Sequence, residues 1–273
     1  MNPGGDALSN KEIAHVFQKY GKLKHKPIAM YYTNVLPSGK VRHQRTIIGR
    51  CIPPFAFKAS RKGGTSLLEA GRGCPGGLWW AGFSKVAPKG LANFLAHGRE
   101  GSFGDRAEHF KRNVKLAAGV FKAPGPVEQP PGNKYISFQR LEDIPDDVKI
   151  EFVLFFTNPL GIARLVTLCH YGHPEHSIVR APGGSGCMSV LNHPLQLKPA
   201  PEPDAVMGIW DLFARKSMPR NILSLAVRRW FAEEMAKDIP SSFMNQLAPF
   251  TTKGELTLLF KKLRRKIQQR KEK

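Results

Sequence analysis

The chain has 273 residues, and its 42 Lys and Arg outnumber 21 Asp and Glu to give a formal charge of +21. Hydrophobic residues make up 41% of it, including 17 Phe and 4 Trp, so there is apolar matter for a sizeable core and the charge does not make the chain disordered. Four Cys at this length exclude a disulfide scaffold.

The first seventeen residues lack a charged region followed by an apolar run, so they do not read as a secretory signal. Ser9 is placed to cap a helix over about Lys11–Tyr20, with Ile13, Val16 and Phe17 on one face. Pro27 opens an apolar run, Ile28 to Tyr32, that reads as a strand. Residues 53–58 are ambiguous, and Gly63 and Gly64 mark a loop over 61–65. The Gly-rich text around Cys74 leads into an aromatic helix, and 91–96 and 107–120 carry helical patterns. The Pro- and Gly-rich stretch 123–133 is a linker candidate.

Beyond it, 135–140 and 148–156 are rich in aromatic and β-branched residues and read as strands. The second is nearly all apolar, as a strand buried on both faces requires, and too short to span a bilayer. A helix is expected from Pro159 to Tyr171, a short strand over 178–181, and a short helix after the Gly-rich loop 182–187. Residues 205–210 and 222–227 read as strands, although 222–237 also fits one continuous helix; 228–237 is helical either way. The mixture predicts an α+β fold, a mixed sheet flanked by helices, with two packed lobes as one arrangement of it. In that division an N-terminal lobe (1–122) carries Cys51 and Cys74, the linker covers 123–133, a second lobe (134–250) carries Cys187, and a basic tail covers 251–273.

Three cysteines carry the clearest chemical signal. Cys74 sits in Gly-Arg-Gly-Cys-Pro-Gly-Gly, Cys187 in Gly-Gly-Ser-Gly-Cys, and Cys51 before Ile52-Pro53-Pro54. Glycine lets neighbouring amides turn toward a sulfur-bound centre, and Cys-Pro recurs in iron–sulfur ligand runs. There is no CxxC pair, which argues against a zinc ribbon or knuckle. From these residues alone, each cysteine is either a ligand or a small buried hydrophobe beside a turn.

Several short motifs together resemble the uncharacterised ArCR family. They are Pro27-Ile28-Ala29, Gly49-Arg50-Cys51, Cys74-Pro75-Gly76-Gly77 running to Gly82-Phe83, Phe156-Thr157-Asn158-Pro159, and Gly184-Ser185-Gly186-Cys187-Met188-Ser189. Asp211 with Arg215, Pro219-Arg220-Asn221-Ile222-Leu223-Ser224, Phe231, Met235 and Ser242-Phe243-Met244 complete the pattern over about 11–245. The resemblance implies no activity. It implies that Cys51, Cys74 and Cys187 occupy family cysteine positions, whereas Cys169 falls on a core helix position. Three thiolates with an open fourth position suit a 4Fe–4S cluster with one labile iron, zinc being the alternative. Gly73, Gly76, Gly184 and Gly186 would then supply loop freedom, and Arg50 and Arg72 neighbouring polarity.

Other groupings are weaker. The string Cys169-His170-Tyr171-Gly172-His173-Pro174-Glu175-His176 has ligand types at close spacing but reads as a helix end and a polar loop. Gly183–Gly186 lacks the remaining residues of a P-loop or dinucleotide fingerprint. Glu69 and Arg72 flank the Cys74 loop and read either as groups that orient a ligand or as a surface ion pair, and Asp211 and Arg215 read as a salt bridge one turn apart if their segment is helical.

The charge itself is uneven. Residues 1–50 contain two acids, Asp6 and Glu12, and the tail is denser in Lys and Arg. Its Leu256, Leu259, Phe260, Leu263 and Ile267 recur at helical spacing, predicting a basic amphipathic helix. Two functions follow as expectations. The first is a cytoplasmic metal- or iron–sulfur-binding protein, its three cysteines serving redox or small-molecule chemistry with a redox or acidic protein partner. The second is a non-enzymatic binding protein, peripheral to a membrane or bound to an acidic partner, whose residues 253–273 contact an anionic membrane surface or, without sequence specificity, nucleic acid.

Overall fold

In a computed structural model, residues 7–21, 23–44, 51–98, 107–122, 125, 127–128, 132–245, 257, 260–264 and 269 are described. Helix α1 (Asn10–Lys19) begins one residue ahead of its expected start. Ser9 and Glu12 close its first turn reciprocally: the Ser9 hydroxyl accepts the Glu12 N–H at 3.2 Å, and Glu12 accepts the Ser9 N–H at 2.8 Å. Strand β1 (Ile28–Thr33) follows, then β2 (Val41–His43). Residues 53–58 belong to helix α2 (Ile52–Lys62), which carries prolines in its first turn, where missing N–H groups cost nothing. The loop expected over 61–65 shrinks to Gly63 and Gly64, both at positive φ; a Cβ on Gly64 would lie 2.5 Å from the Lys40 carbonyl oxygen.

Strand β3 (Thr65–Glu69) leads to helices α3 (Pro75–Trp80), α4 (Leu91–Ala96) and α5 (Val114–Gly119). The helix expected over 107–120 is therefore much shorter. Asn113 stops it from starting earlier, because its side chain accepts the Leu116 N–H at 2.9 Å as an N-cap. Strand β4 (Tyr135–Arg140) matches its expected span, whereas β5 (Phe152–Thr157) starts later than the pattern suggests, behind a turn closed by Val148 N–H on Pro145.

Helix α6 (Pro159–Cys169) starts at Asn158, whose side chain accepts the Gly161 N–H at 2.9 Å. Strand β6 (Val179–Arg180) precedes a π-helical turn (Met188–Asn192) and the short α7 (His193–Leu195). Strand β7 (Ala205–Gly208), α8 (Leu212–Arg215), β8 (Leu223–Val227) and α9 (Arg229–Asp238) complete the order. The alternative of one helix over 222–237 is thus resolved as a strand followed by a helix.

Among the described residues, eight strands form one mixed sheet in the order β2-β3-β4-β1-β5-β8-β7-β6. The two outermost pairs, β2 with β3 and β6 with β7, are parallel, and every pair between them is antiparallel. This is the expected α+β architecture. The stretches on either side of 123–133 build one continuous sheet, since β4 inserts between β1 and β3, and β5 pairs with β1.

Side chains alternate across the sheet as the pleat requires. Ile28, Met30, Phe152, Leu154, Phe156 and Ala226 face a core filled by α2, α3, α4 and the π-helical turn. Ala29, Tyr31, Val153, Phe155, Leu225 and Val227 face a second core under α1, α6 and α9. Strand β5 is wholly buried because it is covered on both sides, which explains its unbroken apolar sequence. Among the described residues, no helix is long and apolar enough to cross a membrane. Of the predicted tail helix, Thr257, residues 260–264 and Gln269 are helical, with Phe260 and Leu263 exposed; Leu256, Leu259 and Ile267 lie outside the described residues.

Candidate functional site: a cluster of three thiols and two carboxyls

Cys51, Cys74 and Cys187 each stand at the N-cap of a helical segment: α2, α3 and the π-helical turn. The segments come from distant parts of the chain and meet on the first face of the sheet. Their approach depends on glycine. A Cβ on Gly77 would lie 2.4 Å from Ile52 Cδ1 and 3.5 Å from Cys187 Sγ, so the absence of a side chain there lets α2, α3 and the Cys187 sulfur close together. A Cβ on Gly186 would meet Pro53 at 2.8 Å, and one on Gly184 would meet the Met188 sulfur at 2.8 Å. Gly73 sits at φ +128°, where a Cβ would fall 2.3 Å from Gln44 Oε1, and that oxygen accepts the Cys74 N–H at 3.4 Å.

The electrostatics differ from one sulfur to the next. Cys74 is brought down to about 7: the Cys187 thiol donates to it, the Gly77 and Gly76 amides add to that, and burial opposes them. Cys187 is held well above the usual thiol range, first because it is the donor to Cys74 and then by burial; the Ile52 amide acts weakly the other way. Pro53 and Pro54 have no N–H, so Ile52 supplies the one amide donor among the first three residues of α2. Burial pushes the Cys51 thiol up, reinforced by Cys74, Asp211 and Glu108 in their ionised forms.

Two carboxyls complete the cluster. Asp211 accepts the Gly186 N–H at 2.8 Å and the Ala214 N–H at 3.0 Å, which pins the loop before Cys187 to the start of α8. Glu108 is pushed up to about 10, mainly by burial and then by the charge of Asp211 and a hydrogen bond to it. It is therefore a protonated carboxylic acid at neutral pH, and its Oε2 is buried with no hydrogen-bond partner.

The cluster thus brings Cys51, Cys74 and Cys187 together, with Gly73, Gly76, Gly184 and Gly186 shaping their loops. Arg50 lies outside the described residues. Arg72 pairs with Glu69 at 3.4 Å on an exposed surface, the plain ion pair its spacing suggests. Asp211 and Arg215 do sit one turn apart, but the Arg215 guanidinium donates to the carbonyls of Ile209, Ile222 and Arg220 while Asp211 holds amides. The histidine-rich string does not form a site with Cys169. His170 bonds the Val166 carbonyl, His173 pairs with Glu234 at 2.5 Å, and Cys169 is buried beside Met235. Glu108 and Gln44 escaped sequence reasoning, because neither lies in a motif and both reach the thiols only through the tertiary fold.

Chemically, the cluster offers one readily formed thiolate, two protonated thiols, a neutral carboxylic acid and the Asp211 side chain that holds two backbone amides. Among the described residues, no group of three or more His, Cys, Asp or Glu side chains stands in a metal-coordinating arrangement. The model of one protein family, described as uncharacterised ArCR (DUF169), matches residues 16–238. No curated protein and no solved structure matches the chain.

Proposed function

Taking as premise that the chain belongs to this ArCR family, we propose that it is a thiol-site protein whose Cys51, Cys74 and Cys187 hold an iron–sulfur cluster or a single soft metal ion. The observation that carries this reading is the meeting of three cysteines from three distant segments, each at the start of a helical turn. Thiolates are the donor type that selects iron–sulfur, zinc or copper(I) centres over magnesium or calcium, and holding one here requires the three thiols to close in from the arrangement described above. The Ile52, Gly76 and Gly77 amides act on the cysteine sulfurs, as amides do around iron–sulfur ligands. When bound, an iron–sulfur centre supplies electron exchange or a coordination position for a small molecule. Cys51, Cys74 and Cys187 anchor it, Asp211 fixes the Gly186 loop, and Glu108 presents a protonated oxygen beside the thiols.

Protein prepared without oxygen should be coloured and carry iron and acid-labile sulfide, or else zinc, in fixed ratio to the chain. Cys74→Ser should lose the metal, and Cys169→Ser should keep it. Wild-type protein that is colourless and free of iron, sulfide and zinc overturns the reading.

A second reading rests on the tail, where exposed Phe260 and Leu263 stand among Lys261, Lys262 and Arg264. Apolar residues set among cations are the surface composition that binds anionic membranes. Sedimentation with phosphatidylserine vesicles should fall with rising salt and be lost on deletion from Lys253 onward. Vesicle binding that survives the deletion rules the tail out.

A further inference from the structure

Helix α2 joins two different surfaces, about 15 Å apart along its axis. Its N-terminus carries Cys51 into the thiol cluster, and its C-terminus lies beside the starts of β1, β2 and β3. Of its 11 residues the exposed ones are Lys58, Arg61 and Lys62, which share one face at i, i+3 and i+4. The carbonyls at this helix end do not need them. Arg140 donates to the carbonyls of Ser60 at 3.3 Å and Arg61 at 3.4 Å, and Arg42 donates to that of Gly63. Further cations stand alongside. A Cβ on Gly64, just past the helix, would lie 3.2 Å from the Cβ of exposed Lys40 and 3.5 Å from an Arg42 nitrogen. The His25 ring packs edge-on against Phe57 of α2, with centroids 4.9 Å apart; burial, then the charges of Lys24 and Arg61, lower its pKa. Among the described residues, the acid paired at this surface is Glu142, which is held by Lys26. Beyond it the chain turns to α1, where Asp146 accepts the Asn10 N–H at 2.6 Å.

We propose that this end of the molecule binds duplex nucleic acid through its phosphate backbone, with Lys24, Lys40, Lys58, Arg61 and Lys62 as the contacting cations. The composition of the surface selects this partner among polyanions. Among the described residues, no exposed large hydrophobic side chain belongs to it. Val35 and Leu36 follow the far end of β1, where Asn34 accepts the Lys134 N–H at 2.9 Å. Membrane anchors pair cations with exposed apolar residues, and protein interfaces centre on apolar residues with lysine depleted. Single strands are held by stacking on aromatic rings, and Phe57 is 4% exposed, covered by Arg61 and His25. A duplex needs only cations held on a firm surface, which displace its condensed counterions. Contacts of this kind position the duplex without reading its bases, so they carry no sequence preference.

This inference rests neither on the metal reading nor on the tail. The test follows the full chain binding a short fluorescent DNA duplex by anisotropy, between about 50 and about 200 mM salt. Wild type should bind two duplexes of unrelated sequence alike, and more weakly as salt rises. Lys58→Gln with Lys62→Gln removes two phosphate contacts. It should reduce the slope of log affinity against log salt by about 2 and weaken binding about tenfold. Lys89→Gln with Lys115→Gln removes the same charge from exposed positions before α4 and on α5, and should leave the slope unchanged. If the first pair loses its far-ultraviolet circular dichroism, Lys24→Gln with Lys40→Gln takes its place with the same expectation. Cys74→Ser should bind the duplex as wild type does, so loss of metal leaves this result standing. The proposal is overturned by absence of duplex binding, by equal effects of the patch and control pairs, or by tighter binding of a single strand. A patch pair that releases phosphatidylserine vesicles but keeps the duplex overturns it as well.

Discussion

The two faces of the sheet treat the same residue type in opposite ways. Under α1, α6 and α9, Cys169 is fully buried; its thiol meets the Met235 sulfur at 3.9 Å, and burial alone holds it protonated. Under α2, α3 and the π-helical turn, Cys51, Cys74 and Cys187 keep company with Asp211, Glu108 and backbone amides. On the first of these faces, Cys169 ends α6 and packs against Met235 in the middle of α9. On the other, two helices and the π-helical turn begin close together, so amides, a carboxylate and small residues gather at one point. The lesson is that a cysteine's chemistry here depends on whether it meets the side of a helix or its start.

The comparison can be broken most severely from the plain face. Phe155 is fully buried and packs on Phe17 with ring centroids 4.6 Å apart, so Phe155→Ala should cost about 3–5 kcal/mol in urea unfolding. In protein that remains folded, the order of thiol reactivity should not change; a change would mean that the two faces are not independent. Gly77→Ala strikes the other face. The added methyl meets Ile52 and should cost about 1–3 kcal/mol, and unlike Phe155→Ala it should also alter Cys74 alkylation.

Two titrations sharpen the contrast. Folded Glu108 keeps its proton to about 10, while the unfolded carboxyl releases it near 4.5. The folded state binds more protons between those values, so this stability is whole below the lower one and is lost as pH rises toward the upper. Glu108→Gln keeps a donor for Asp211 and has no proton to lose. Its melting temperature should therefore gain on wild type between about pH 5 and about pH 8, and a parallel pair of curves would refute this. The smallest effect is on rate. Iodoacetamide should modify Cys74 with a midpoint near pH 7, rising toward the ordinary thiol value of 9.0 in Cys187→Ala, while Cys169 stays unmodified in folded protein. A midpoint indifferent to Cys187 would remove the sulfur contact from the explanation.

Local signals made much of the fold legible. The Ser9–Glu12 capping pair, Asn158 before Pro159, and the aromatic and β-branched run at Tyr135–Arg140 each reveal an element without its neighbours. Strands β2 and β3 carry no such signal, because three or five residues with little alternation depend on their partners to form a ladder. At the candidate site, the glycines flanking Cys74 and Cys187 suggest loop freedom, whereas Gly77 and Gly186 serve in the fold as points of close approach to Ile52 and Pro53. What the chain order hides is Glu108. Its ionisation is set first by burial and then by Asp211, over a hundred residues away, and no local pattern encodes either.

The interleaving of β4 between β1 and β3 has a consequence for synthesis. A ribosome that has released only the first half of this chain has made β1, β2 and β3, but not the strand that joins β3 to β1. Until residues 135–140 emerge, Leu67, Leu68 and Met30 have no sheet interior to enter, and their hydrogen-bonding edges stay open to other chains. Folding must wait for the second half, and a nascent chain stalled before Tyr135 is a natural client for chaperones.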